Sequence, residues 1–433
     1  MSFIITRSDL LAPLKAQVDS LMPYFIGVLR DALDASGKDV RLGNVRCVSA
    51  KRGWWTKELK EDIWRRGGGG WMVGKVNVGK SNLFETVFPK GHLQQVDLGE
   101  IRRETGGEGV PLDQTEEAHI NHISHPENPA ICESHEQLKL LDETSLLPPA
   151  QSSTPFPQMP VVSSLPGTTA SPIRIPFGPA GKGELIDLPG LARSNLDTHV
   201  QPAHRETLVM RSRAKPEQIV IKPSQSLLVG GGLIRITPKI PADTVLLAYP
   251  FLPLSTHVTA TEKAVEIQTQ KRESGIESIL TEGVGEQISA AGTFRLDWDV
   301  TKQRSGPLTR PSAVGLQTGQ LPYRVLATDI LVEGCGWIEL ATQVRKKHLD
   351  PIHDDDVTSG RENPTAGSRL NGEACPEVEI FTPHGKYIGE RRPMNAWLLG
   401  SKETRPKAEI KGRPRTSVKG QKKGQKLARS MTS

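Results

Sequence analysis

The chain has 433 residues, a formal net charge of +6, 41 glycines and 33 prolines. This length allows two or three domains, and the high proline content predicts that part of the chain is unpacked. The cysteines Cys47, Cys132, Cys335 and Cys375 form no close pair, which excludes a disulfide framework and a C-x-x-C zinc site, so zinc is not expected. No apolar run approaches the roughly 20 residues that span a bilayer, so integral membrane contact is not expected.

The first ninety residues alternate between short apolar runs and helical patterns. Residues 2–6 and 45–50 read as strands, and residues 54–64 as an amphipathic helix that ends at the glycine run 67–70. A further strand enters the sequence WMVGKVNVGKSNLF of residues 71–84, and a helix leaves it. This alternation predicts an α/β domain with a mostly parallel sheet.

The periodic pattern is interrupted downstream. Residues 92–164 are rich in Pro, Ser, Glu and His without periodicity, which predicts a disordered insertion. The pattern recovers near residue 165, so we expect 1–91 and 165–212 to form one domain.

Short alternating apolar runs over residues 213–400 predict a second, mainly β domain with one helix near 261–269. A polar stretch at 345–376 is predicted to be a second disordered insertion. Residues 401–433 form a basic tail, predicted to be disordered, with eleven Lys or Arg against two Glu. Such a tail is typical either of an anionic partner such as a nucleic-acid backbone or of a solvated terminus.

The stretch from Gly74 to Ser81 has the spacing G-x-x-x-x-G-K-S of a phosphate-binding loop. Its backbone N–H groups turn toward phosphate oxygens, Lys80 reaches the β- and γ-phosphates, and the Ser81 hydroxyl ligates Mg²⁺. The residues that this motif predicts at the phosphates are Gly74, Asn77, Val78, Gly79, Lys80, Ser81 and Asn82.

A second motif is the apolar strand that ends in Asp187-Leu188-Pro189-Gly190. Asp187 is predicted to hold Mg²⁺ through water, and the Gly190 amide to contact the γ-phosphate. Upstream, Thr168 and Thr169 each offer a hydroxyl to Mg²⁺. With Lys80, these threonines are the predicted catalytic residues.

Two short segments near the start of the chain have the composition of guanine-reading loops. Residues 6–9 end in a carboxylate that can accept hydrogen bonds from guanine N1–H and the exocyclic amine, a donor pair that adenine lacks. Residues 49–51 match a strand-S-A-K signature whose alanine N–H meets guanine O6. The predicted base-reading residues are Thr6, Arg7, Asp9, Ser49, Ala50 and Lys51.

The order of these motifs, with base reading ahead of phosphate binding, is a circular permutation of the usual GTPase order. On this order and on NVGKSNL, LPGTT and DLPGL, the sequence resembles the circularly permuted GTPases of the YqeH-like branch. The runs SLLVGGGLIRI, DILVEGCGWIEL and TPHGKYIGERRP are similar to that family's C-terminal β-rich RNA-binding domain. The proline-rich insertions look most like the fungal mitochondrial members known as genetic interactors of prohibitins.

The resemblance implies a circularly permuted Ras-like P-loop GTPase domain followed by a mainly β domain. It implies a GTPase that uses GTP and Mg²⁺ and assists assembly of the small ribosomal subunit in the mitochondrion. The partners it implies are small-subunit rRNA, bound through the C-terminal domain, and ribosomal proteins. Related branches with Asn at the position of Asn77 use K⁺ near the phosphates, which makes Asn77 a candidate K⁺ ligand.

The sequence departs from the family pattern at several points. Arg7 replaces the usual Lys, and Leu191 stands where Ras-like GTPases carry a water-orienting Gln. Family members begin with a zinc module and a further strand and helix, so we expect an N-terminally truncated G domain whose sheet lacks a central strand. The alternatives are a degenerate, non-hydrolysing RNA-binding scaffold, or a factor linked indirectly to mitochondrial lipid and prohibitin homeostasis.

Overall fold

The structure is a computed structural model. It describes residues 2–35, 42–90, 147–152, 157–160, 170–178, 183–191, 195–272, 275–309, 314–349 and 375–400. Within these ranges the chain forms four sheets, of two, three, five and six strands, with few helices. The expected mixed α/β class is confirmed.

The strands are named in chain order. They are β1 (Phe3–Ile5), β2 (Val45–Cys47), β3 (Gly68–Met72), β4 (Ile173–Phe177), β5 (Gly183–Asp187), β6 (Ile219–Ile221), β7 (Gln225–Val229), β8 (Ile234–Lys239), β9 (Leu246–Phe251), β10 (Thr256–Ala260), β11 (Ile288–Arg295), β12 (Trp298–Asp299), β13 (Tyr323–Val332), β14 (Gly336–Arg345), β15 (Glu377–Pro383) and β16 (Ile388–Arg391). The α-helices are α1 (Lys15–Ser20), α2 (Met22–Ala35), α3 (Thr56–Arg66), α4 (Lys80–Val87), α5 (Thr261–Gln268), α6 (Thr301–Arg304), α7 (Lys346–Leu349) and α8 (Ala396–Gly400).

The strands of the first 190 residues form two separate sheets. Strands β1 and β2 pair in parallel, whereas β5 lies between β3, parallel to it, and β4, antiparallel to it. Among the described residues no strand joins the two sheets.

One core holds the phosphate-loop end of the molecule together. It contains Leu83 and Phe84 of α4, Leu59 of α3, and Ile175 and Leu185 of the three-stranded sheet. Helix α3 lies where the sequence predicts an amphipathic helix, and it ends where Gly67 takes a φ of 62°. Burial of these faces fixes α4, and with it the loop that precedes α4.

The second half of the chain is a sandwich of two antiparallel sheets. The strand order is β10-β7-β8-β15-β11 in one sheet and β12-β13-β14-β9-β6 in the other, with β16 also paired to β13. Alternate residues of both sheets, such as Ile236, Ile330, Ile338 and Ile380, fill the space between them. Helix α5 lies where the sequence predicts a helix and packs on β7, β8 and β10.

Helices α1 and α2 pack against the other face of the six-stranded sheet. Val18, Leu21 and Phe25 share a buried cluster with Phe251 and Trp337 of that sheet. Tyr24 of α2 also donates a hydrogen bond to the carbonyl of Arg392, just after β16. The first domain and the second domain therefore share a core.

The predicted insertions fall mainly outside the described residues, as does the predicted tail 401–433. In the segment 92–164, two described pieces lie against β4, because Gln151 N–H donates to the Arg174 carbonyl and Met159 joins the core there. In the segment 345–376, the first residues form helix α7. Within the described ranges, the helices are too short or too polar to cross a bilayer.

Candidate functional site

The loop from residue 74 to residue 81 curls around the side chain of Lys80. Lys80 Nζ donates hydrogen bonds to the carbonyls of Gly74 and Lys75, each at 3.0 Å. Gly79, with a φ of 90°, precedes the first turn of α4, and Asn77 also has a positive φ of 59°. The ammonium of Lys80 is thus held at the mouth of the loop, beside the N-terminus of a buried helix.

Ser81 and Asp187 lie side by side at this mouth. Ser81 Oγ donates to Asp187 Oδ2 at 3.0 Å, and Asp187 is fully buried. Asp187 Oδ1 has no hydrogen-bond partner in the described part of the chain. Burial raises the pKa of Asp187, although the Ser81 hydrogen bond and the Lys80 charge oppose the rise. Burial likewise lowers the pKa of Lys80, against the attraction of Asp187.

The Ser81 hydroxyl and the Asp187 carboxylate together fit a Mg²⁺ ion. Mg²⁺ prefers hard oxygen ligands and keeps several of its waters, so a hydroxyl and a carboxylate on one side suffice. The unpartnered oxygen of Asp187 is an acceptor suited to a metal-bound water. The other predicted Mg²⁺ ligands, Thr168 and Thr169, lie outside the described residues.

The loop that follows Asp187 docks on the phosphate loop. Leu191 N–H donates to the Gly74 carbonyl at 3.0 Å, and Val76 N–H donates to the Leu191 carbonyl at 3.1 Å. A Cβ at Gly190 would lie 2.7 Å from Val76 Cγ2 and 2.9 Å from its Cα. A glycine is therefore required at 190 for the two loops to touch.

The predicted base-reading segments meet each other and the phosphate loop. Thr6 Oγ1 donates to the Val78 carbonyl at 2.5 Å, and Ser49 Oγ donates to Asp9 Oδ1 at 2.5 Å. The Arg7 side chain lies against Gly79, with its Nε 3.6 Å from where a Cβ would stand. These segments, which are far apart in the sequence, are thus in contact beside the phosphate loop.

Other predicted residues have contacts of a different kind. Lys51 Nζ reaches the carbonyl of Arg211 at 3.4 Å, and the Ala50 carbonyl accepts from Gly53 N–H. Asn82 lies in the first turn of α4, where its carbonyl accepts a hydrogen bond from the Thr86 hydroxyl.

One contact at the loop was not predicted from the sequence. Lys75 Nζ lies 2.5 Å from Glu333 Oε1, in the turn between β13 and β14. The two residues are 258 positions apart, so no local pattern connects them. The glycine-rich EGCG run predicts a turn there, but not what the turn touches.

Among the described residues, no group of three or more His, Cys, Asp or Glu side chains is arranged to hold a metal ion. Comparison of the sequence with models of known protein families and with curated proteins finds no match.

Proposed function

We propose that the chain binds GTP with Mg²⁺ and hydrolyses it slowly. The observation that carries this proposal is that three side-chain hydrogen bonds join the four predicted motif segments. Thr6 reaches the phosphate loop across 72 positions, Ser81 reaches Asp187 across 106, and Ser49 reaches Asp9 across 40. We further propose that the first domain has the fold of a circularly permuted P-loop GTPase domain.

Each motif has a defined chemical task. The loop amides and Lys80 stabilise the phosphates, whose negative charge compensates the partly buried ammonium. Asp9, held by the Ser49 hydroxyl, accepts the two donors of guanine and disfavours adenine. Arg7 can stack its flat guanidinium on the base.

The metal would be held by Ser81 directly and by Asp187 through water, with Thr168 or Thr169 as a further ligand. Bound there, Mg²⁺ would neutralise part of the phosphate charge. The protein's own contribution is to orient the γ-phosphate with Lys80 and the Gly190 amide. Leu191 carries no group that could orient a water, so hydrolysis without a partner is expected to be slow.

By the family resemblance, we propose that the GTPase acts in assembly of the mitochondrial small ribosomal subunit. It would bind rRNA through its C-terminal domain and contact ribosomal proteins. Two features of the chain support RNA binding. They are the β sandwich, which follows the proposed nucleotide site in the sequence, and the basic tail. Co-sedimentation with small subunits in GTP but not in GDP tests this assignment, and equal co-sedimentation contradicts it.

A second candidate is a non-hydrolysing RNA-binding scaffold. The observation that favours it is the aliphatic Leu191, which is 56% exposed and hydrogen-bonded through its backbone to the phosphate loop. No polar side chain is available from this position to activate water. In this reading, nucleotide binding would be a structural or regulatory event, and links to mitochondrial lipid homeostasis would be indirect.

Binding of a fluorescent GTP analogue, with GTP and ATP as competitors, tests the site. We expect saturable, Mg²⁺-dependent binding that GTP displaces and ATP does not. Lys80→Ala should weaken binding about tenfold or more, since a hydrogen-bonded charge is lost. The matched control is Lys90→Ala, just beyond the other end of α4, where Lys90 pairs at long range with Glu85.

The outcomes separate the two candidates. Saturable binding with phosphate release supports the GTPase, and binding without release in single-turnover assays supports the scaffold. Absence of saturable binding by the wild-type chain would contradict the GTPase and favour the scaffold. Equal release rates in Na⁺ and K⁺ buffers would reject Asn77 as a K⁺ ligand.

A further inference from the structure

One turn of the second domain touches the phosphate loop. This turn joins β13 to β14 and carries Glu333, whose carboxylate pairs with Lys75 at 2.5 Å. The N–H of Glu333 donates to the Tyr387 carbonyl at 3.0 Å, so the turn is fixed to the neighbouring β15–β16 turn. The Glu333 side chain is about three-quarters buried, whereas that of Lys75 is about half exposed. The Glu333 carboxylate is therefore held in place, whereas the Lys75 side chain is exposed enough to change its position.

Lys75 belongs to the loop that would receive the nucleotide. Its carbonyl accepts a hydrogen bond from Lys80 Nζ at 3.0 Å, and the next residue, Val76, pairs with Leu191. A lysine at this position has a side chain long enough to serve either a neighbouring domain or an anion in the loop. In the structure its ammonium is paired with Glu333.

A second connection runs from the same loop into the same domain. Leu191 lies on the phosphate loop, and a few residues later Leu196 and Val200 are buried in the core of the β sandwich. His199 is fixed there by two hydrogen bonds, from Thr281 N–H to its carbonyl and between its Nε2 and the Tyr387 hydroxyl. The phosphate loop is therefore attached to the second domain at two points.

Electrostatics connects the Lys75–Glu333 pair to the number of phosphates in the loop. GTP brings more negative charge than GDP, and the extra charge lies at the γ-phosphate end. Interactions between charges inside the screening length of about 8 Å remain effective at physiological salt. The γ-phosphate and the Glu333 carboxylate thus compete for one ammonium.

We propose that Lys75 and Glu333 together set the preference of the site between GTP and GDP. Glu333 withdraws Lys75 from the loop, and the γ-phosphate of GTP draws Lys75 away from Glu333. By linkage, a partner that binds the second domain and stabilises the separated Lys75–Glu333 pair must favour GTP over GDP to the same extent. This inference rests on the proposed guanine-nucleotide site.

The test is the ratio of GDP to GTP dissociation constants, measured by titration of the full chain with fluorescent analogues of both nucleotides. Glu333→Gln frees Lys75 and should raise this ratio about two- to fivefold, the range expected for one partly exposed charge pair. Lys75→Gln should lower the ratio. In the double variant, the effect of Glu333→Gln should largely disappear, because its target is gone.

The matched control is Asp31→Asn. Asp31 of α2 pairs with Arg392 at 2.5 Å, which is also a partly exposed ion pair between the two halves of the chain, but one away from the phosphate loop. This control should leave the ratio unchanged, and thermal unfolding should show that all variants fold. A ratio that Glu333→Gln leaves unchanged, or that Asp31→Asn changes equally, overturns the inference. Failure of the wild-type chain to bind either nucleotide overturns the proposed function itself.

Discussion

Asp187 is buried, yet one of its carboxylate oxygens has no hydrogen-bond partner in the described part of the chain. A buried, partly satisfied carboxylate destabilises a fold unless a ligand completes its coordination. Only Ser81 donates to it among the contacts described above, and the charge of Lys80 is the nearest compensation. At this residue, stability and nucleotide binding are expected to oppose each other.

We expect Asp187→Asn to raise the unfolding free energy of the nucleotide-free protein by about 1 kcal/mol, because the cost of burying a charge is removed. The same change should abolish the Mg²⁺-dependent part of nucleotide-induced stabilisation. Thermal unfolding with and without GTP and Mg²⁺ measures both effects. Glu184→Gln, on the same strand, removes the ion pair with Arg174 (2.7 Å) and should destabilise without altering the Mg²⁺ dependence. Destabilisation of the nucleotide-free protein by Asp187→Asn would contradict the proposed role of Asp187 in holding the metal.

Asp329 of β13 is another buried carboxylate. Its Oδ2 accepts hydrogen bonds from Arg391 Nε and Met394 N–H, each at 3.1 Å. Burial raises the pKa of Asp329 to about 7, although the Arg391 charge opposes the rise. Nearby, Glu339 pairs with Arg304 at 3.0 Å, and burial raises the pKa of that carboxyl too.

These shifts predict that the protein loses stability as the pH rises. Between the ordinary pKa of 3.8 and the folded value of about 7, native Asp329 holds a proton that the unfolded chain has released. The unfolding free energy therefore falls with rising pH in this window, with a limiting slope of about 1.4 kcal/mol per pH unit. Denaturant unfolding of Asp329→Asn between pH 5 and pH 8 should show a reduced slope. An unchanged slope would mean that Asp329 is ionised throughout.

At the scale of elements, the contact between the phosphate loop and the loop after β5 depends on one glycine. Gly190→Ala would bring a methyl group within 2.9 Å of Val76 Cα, so the two loops must separate. We expect this variant to weaken GTP binding about tenfold while changing global stability by about 1 kcal/mol or less. Gly69→Ala on β3 is the control, because its Cβ would meet only the indole nitrogen of Trp71 at an ordinary 3.6 Å. Equal GTP affinity of Gly190→Ala and wild type would show that the loops need not touch.

The pairing of elements also explains the role of Thr6. Its hydroxyl, just after β1, joins the two-stranded sheet to the loop after β3 through the Val78 carbonyl. Thr6→Val keeps the side-chain shape and removes this hydrogen bond, which should weaken nucleotide affinity about two- to tenfold. Isothermal titration with GTP measures the change. Ser20→Ala on α1 is the control, because the Ser20 hydroxyl donates to the local Gln17 carbonyl. This variant should bind GTP as the wild type does.

For the whole molecule, the charge distribution predicts where an anionic partner binds. The tail from residue 402 carries eleven basic and two acidic side chains, so the remainder of the chain has a net negative charge. Deletion of residues 402–433 should therefore lower RNA affinity and reduce the slope of log affinity against log salt. Unchanged affinity and slope in a filter-binding titration would reject the tail as the RNA contact.

The sequence predicted local patterns better than long-range contacts. The spacing from Gly74 to Ser81 and the strand that ends at Asp187 could be read directly from the sequence, because each motif lies within a few positions. Val18 and Phe25 are spaced as on one face of a helix, but this spacing cannot show that the six-stranded sheet covers them. Nothing in a single sequence links such surfaces, since their pairing depends on shape and burial across the whole fold.

The division of the first domain into two sheets has a consequence for how the protein opens. Strands β1 and β2 place Ile5 and Cys47 in the core shared with the β sandwich, whereas the core of β3, β4, β5, α3 and α4 receives Ile4 and the adjacent Val48. A guanine nucleotide would straddle this boundary, with its base over the first group and its phosphates over the second. In its absence, amide hydrogen exchange should occur in two units of different protection. Nucleotide would then merge them into one cooperative unit, because it would contact both groups.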